Sequence, residues 1–164
     1  MISEFYGLRQ AKRSGVPLIN HIDEGIKILR WLGASVDTME AFCLHPMLQS
    51  DEELNANWKD VAIEFADQGE VLMYAMEYRN VANAFLSDKV MTMVTDNIRL
   101  SPVMPVNLML IADKIQNRKD FELYHKSTHP RSTQLDVYFK MWLKRLNVDE
   151  IAYQDYVQRL KEST

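Results

Sequence analysis

The chain has 164 residues, 47% of them apolar and 26% charged, which suits one soluble domain able to close a core without staples. Its net charge of −4 argues against a nonspecific nucleic-acid binder. No apolar run reaches the ~20 residues of a membrane-crossing helix, and the single Cys43 excludes an intrachain disulfide.

Apolar residues recur at helical rather than strand spacing, and only five Gly and five Pro interrupt them. An all-α bundle is expected. The first helix is read over about residues 2–12, before the turn-forming Ser14-Gly15-Val16-Pro17. The second covers 20–32, with Ile22, Ile26, Leu29 and Leu32 on one face and Gly33 closing it. A third starts near Asp37 and is expected to kink or end at His45, because Pro46 disfavours helical geometry there.

Ser50-Asp51-Glu52-Glu53 reads as a capped acidic start to a fourth helix through Trp58, Val61 and Phe65. A fifth follows Gln68-Gly69 to about Leu86, and a shorter one follows Ser87-Asp88. Pro105 suits the first turn of a long helix over 105–124, its buried stripe marked by Leu108, Ile111 and Ile115. Two helices close the chain, one through Leu135, Tyr138, Phe139, Trp142 and Leu146, the other from Asp149 to Leu160. The ten Met residues read as adaptable core packing before they read as a plastic binding surface. Cys43, inside Ala41-Phe42-Cys43-Leu44, reads as a small buried hydrophobe. The N-terminus lacks the basic start and apolar run of a signal peptide, so a reducing, cytoplasmic location is expected.

His21 opens the second helix, His45 falls late in the third, and Asp113 lies within the long helix. Two imidazoles and a carboxylate are a reasonable divalent-metal set. By spacing alone, hydrogen-bonded helix-end histidines are the first reading.

The segments Arg13-Ser14-Gly15-Val16-Pro17-Leu18-Ile19-Asn20-His21, Leu44-His45 and Ile111-Ala112-Asp113-Lys114-Ile115-Gln116-Asn117 carry more information together. In order and separation they resemble the HD-domain superfamily, and within it the hydrolase domain of RelA/SpoT-type (p)ppGpp hydrolases and their small stand-alone relatives. The likeness spans about residues 12–117. It implies an HD-like helical bundle with two added C-terminal helices, and it matches His21, His45 and Asp113 to metal ligands. It also implies manganese or a similar divalent ion, Asn117 as a substrate contact, and Lys12 in the place of a purine-stacking Arg. Lys lacks the planar guanidinium for stacking.

The departures fall at the chemistry. Pro46 replaces the Asp of the His-Asp pair, and Gln49 and Ser50 replace an acidic pair that organises the attacking water. Asp51 and Glu24 are the neighbours available to compensate.

Two further polar sets stand out. Arg79 and Asn83 lie one turn apart on the fifth helix, near Tyr78 and Asn80. They suit either an interhelical network or recognition of a phosphate and base. The basic, hydroxyl-rich residues 125–133 suit either a solvated connection, with Ser132 capping the next helix, or a phosphate-binding lip.

The expected function is therefore a divergent HD protein that binds a nucleotide or other phosphorylated small molecule, with hydrolysis weakened or lost. An active metal-dependent phosphohydrolase and a non-catalytic protein-interaction module are the alternatives. A homo-oligomer or protein partner is left open.

Overall fold

A computed structural model describes residues 2–7, 9–10, 16–87 and 98–163. The protein is all-α. Eight α-helices run through the described residues, whose β-structure is one isolated bridge between Gln10 and Pro17. They are α1 Ile2–Tyr6, α2 Ile19–Trp31, α3 Val36–Leu48, α4 Asp51–Glu64, α5 Gly69–Ala84, α6 Met104–Asp120, α7 Ser132–Arg145 and α8 Glu150–Glu162. A π-helical turn, Phe121–His125, extends α6. No helix in these residues is long and apolar enough to cross a membrane.

Helix α6 is the axis of the fold and packs against α2, α3, α5, α7 and α8. Its neighbours bury far more than the single stripe read from sequence. Ile115 is fully buried, whereas Leu108 and Ile111 are half-buried and Val106, Met109, Leu110 and Ala112 fill other faces. Such encirclement also buries Asp113, Lys114, Gln116, Arg118 and Lys119. Buried charges need partners. Arg118 finds them in Glu122 and a two-pronged pairing with Glu150 at 2.8 Å, while stacking 3.8 Å from the Tyr153 ring, which pins α6 to α8.

The boundaries follow local chemistry. Ser50 accepts a hydrogen bond from the Glu53 N–H at 3.0 Å and Asp149 accepts one from Ala152 at 2.8 Å, capping α4 and α8. Gly33, at φ 71°, closes α2 in a left-handed conformation that a Cβ would strain. Helix α1 is shorter than expected and stops at Gly7, whose φ is 37°.

Of the kink or end expected at His45, the end is overturned, since α3 continues through Pro46 to Leu48. The third helix is held by packing on α2, α4 and α5, which outweighs the local preference of one proline. Ser132 is not a side-chain cap either, because its hydroxyl donates to the Lys126 carbonyl instead. Trp58 is 41% exposed, while Val61 and Phe65 on the same helix are buried. Cys43 is half-buried, and burial pushes its thiol up to about 11. Among the methionines, Met109 is buried and Met73 is exposed. Met91, Met93 and the short helix expected after Ser87-Asp88 lie outside the described residues.

Gly25 is required by packing. A Cβ there would collide with the Phe42 ring, which is wholly buried between α2 and α3. Ala is the better helix former by about 1 kcal/mol, but overpacking a filled core costs about 1–3 kcal/mol. Gly25→Ala should therefore lower the urea midpoint of unfolding, and an unchanged or raised midpoint would show that α2 can shift to make room.

Candidate metal centre

His21 projects from the first turn of α2, His45 from the late turns of α3, and Asp113 from the middle of α6. The three offer donor atoms that all lie within 4.8 Å of one another. His21 Nε2 lies 3.3 Å from His45 Nε2 and 3.5 Å from Asp113 Oδ1, and His45 Nε2 lies 3.9 Å from that oxygen. A tetrahedral ion with bonds of about 2.0–2.2 Å separates its ligands by about 3.4 Å. The triangle fits one face of such a tetrahedron.

The tautomers follow from the partners. His21 Nδ1 is 2.6 Å from Gln116 Oε1, and His45 Nδ1 is 2.6 Å from the Phe42 carbonyl oxygen. Both acceptors lack a proton, so each Nδ1 must donate, which leaves Nε2 as the nitrogen that each ring turns to the cluster. The Gln116 amide is itself oriented, since its Nε2 donates to Glu24 at 3.0 Å and Asp120 at 2.9 Å. Lys119 holds those two carboxylates at 2.8 Å each. Outer partners of this kind fix ring orientation at metal sites.

Asp113 is held by Lys114 Nζ on Oδ2 and by Asn117 Nδ2 on Oδ1, both at 2.8 Å. Burial raises its carboxyl, but Lys114, His21 and His45 override that and hold it at about 2. Burial would lower Lys114, yet Asp113 keeps its ammonium well above the usual lysine range. Lys114 also lies 5.1 Å from the Trp142 ring centre. His45 is pushed down to about 3, first by burial and then by the neighbouring His21.

A cavity of about 290 Å³ opens onto the cluster, lined in part by Pro17, Pro46, Gln49, Gln116, Asn117 and Asp120. No family model, curated protein or solved structure matches the chain. The site is therefore read from its own geometry.

Of the residues singled out in the sequence, His21, His45, Asp113 and Asn117 meet at this cavity. Lys12 lies outside the described residues. Arg79 and Asn83 are not among its lining. Arg79 pairs with Asp51, while Asn83 exchanges hydrogen bonds with the side chain and the carbonyl of Gln49, at 3.1 and 2.8 Å. They brace α5 against the α3–α4 junction, and Asn83 reaches the cavity only through Gln49.

Neither compensating neighbour joins the cluster, because Asp51 is taken by Arg79 and Glu24 by Lys119 and Gln116. The basic segment is tied elsewhere, Lys126 to Asp136 and Arg131 to nearby Gln134 and distant Ser87, and it does not line the cavity either. Gln116 and Lys114 were not singled out for a role. Gln116 stands three residues after Asp113, on the same face of α6, and that spacing is the signal that could have found it.

The buried neutral His45 sets a pH dependence. Its folded pKa lies below its ordinary value, so its contribution is complete above about pH 6.5 and is lost as pH falls toward 3. Asp113 shifts in the same direction and adds a further loss between about 3.8 and 2. In metal-free protein the urea midpoint should fall steadily from pH 6.5 downward. His45→Gln should flatten that fall between pH 6.5 and about 4, and an unchanged slope would mean that other groups govern acid unfolding.

Proposed function

We propose that this protein is a divergent HD-type domain that holds one divalent metal on His21, His45 and Asp113 and uses it to bind a nucleotide or other phosphorylated small molecule. The observation that carries the reading is the convergence of two Nε2 lone pairs and one carboxylate oxygen at tetrahedral spacing. Two lone pairs 3.3 Å apart repel unless a cation or a proton lies between them.

Charge supports an anionic ligand. Asp113 and Lys114 cancel, so a divalent ion would enter with about two uncompensated positive charges. Glu24 and Asp120 against Lys119 offset about one of these at the rim. A phosphate oxygen completing the coordination would neutralise the rest, and the three-residue donor set leaves a position for it. Asn117, Gln49 and Gln116 are the side-chain amides at the cavity, each already partnered within the fold by Asp113, Asn83 and His21 respectively.

Hydrolysis is weakened in this reading. Pro46 offers no donor, Gln49 is engaged by Asn83, and Ser50 is spent as the cap of α4, so no carboxylate at these positions can order an attacking water. A second reading, a metal-free structural knot, is favoured by one observation: Lys114 already neutralises Asp113.

The two readings separate by calorimetry. One manganese or zinc ion should bind per chain, and His21→Ala, which removes a ligand from the cluster's more exposed edge, should weaken binding at least tenfold while the protein stays folded. With metal present, turnover of (p)ppGpp should stay orders of magnitude below ordinary enzyme rates. No metal binding supports the structural knot, and rapid turnover would promote the active phosphohydrolase.

A further inference from the structure

Pro46 offers no ligand atom from its side chain. The hydrogen bonds around it point to something it contributes. In an unbroken helix the N–H of residue 46 would donate to the carbonyl of residue 42, four residues back. Proline has no N–H, and its ring crowds that carbonyl. Phe42 is wholly buried, so its carbonyl oxygen has no water to turn to and needs another donor.

It finds that donor in the residue immediately before the proline. His45 Nδ1 lies 2.6 Å from the Phe42 oxygen, and both residues are buried in α3. The neighbouring carbonyl of Cys43 is also met from outside the helix, by the Tyr6 hydroxyl at 2.9 Å. Side chains thus supply donors to two successive carbonyls in the turn before Pro46.

We infer that Pro46 is a positioning residue: by removing its own N–H from the helix it reserves the Phe42 carbonyl for His45 Nδ1–H, and so fixes the His45 tautomer with Nε2 aimed at His21 and Asp113. The rings on either side agree with one fixed orientation. His45 packs 4.6 Å from Phe42 and 4.7 Å from Tyr78, centre to centre, leaving little room to rotate. With Nδ1 committed, Nε2 keeps its lone pair and is the only nitrogen of the ring able to face the cluster as an acceptor or ligand. An Asp at position 46 would add a donor but return the competing N–H. The proline gives up the oxygen donor and secures the nitrogen one. The effect on metal rests on the proposed metal site, while the effect on the tautomer does not.

Pro46→Ala is the informative change. It returns the N–H, favours helix formation and adds no ligand, so loss of folding is not expected. Far-UV circular dichroism checks that α3 persists. In metal-free wild type at pH 7.5, ¹⁵N resonances of the His45 ring should show a protonated, pyrrole-type Nδ1 and a pyridine-type Nε2. In Pro46→Ala a substantial fraction should convert to the Nε2–H form, because the Phe42 oxygen is now shared and Asp113 is the competing acceptor. Zinc affinity by calorimetry should fall by about 10–100-fold, as for other losses of an orienting partner. A His45 that keeps the same Nδ1–H tautomer in both proteins overturns the inference even if zinc binds. A tautomer shift without zinc binding by either protein upholds the inference and removes the metal reading. A wild-type ring protonated on Nε2 overturns the inference outright.

Discussion

A carboxylate and an ammonium buried side by side on one helix organise this protein. Asp113 and Lys114 lie 2.8 Å apart with side chains 5% and 7% exposed, where neither charge would survive alone. Because α6 is surrounded, each of its polar side chains must be satisfied by whatever packs against it. Asp113 faces the two imidazoles of α2 and α3, Gln116 orients one of them, and Lys119 gathers the carboxylates that orient Gln116. The cluster is thus tied to the packing of α6 as much as to its three donors.

That dependence explains why the site is buried at its base and open at its rim. His45 and Asp113 are nearly inaccessible, whereas His21 is 15% exposed and stands beside Pro17 and Gln116 at the cavity. Phe42 stacks 5.6 Å from His21 and packs against His45, so one aromatic ring backs both imidazoles. Gly25 leaves room for that ring. A glycine on α2 therefore bears on the geometry of histidines from two helices.

Most helices were legible in the chain because their signals are local. Ser50 and Asp149 cap the helices that follow them, Gly33 closes α2 and Met104–Asp120 begins at a proline, each within one turn of the residue that announces it. At Pro46 the helix does not end where local reasoning allowed it to. A proline normally ends a helix, but contacts of α3 with α1, α2, α4, α5 and α6 hold it in register, and the freed carbonyl finds a side-chain donor. The stripe expected on α6 at Leu108, Ile111 and Ile115 packs on the core but is only part of what is buried, since periodicity cannot tell how many helices will surround one.

By itself, the sequence determined that this is an all-α chain, because helical period and caps are properties of neighbouring positions, and the order of its motif segments, not spacing alone, singled out His21, His45 and Asp113. Only the tertiary structure decided what those residues do to one another. Gln116, far from His21 in sequence, turned one Nε2 inward, a carbonyl three residues back in α3 turned the other, and contacts across the fold committed Glu24 to Lys119 and Asp51 to Arg79. Side-chain direction and charge pairing arise from contacts across the fold, and residue type leaves them open: Asp51 and Asp113 are both aspartates, one on the surface beside an arginine, the other buried between a lysine and two imidazoles.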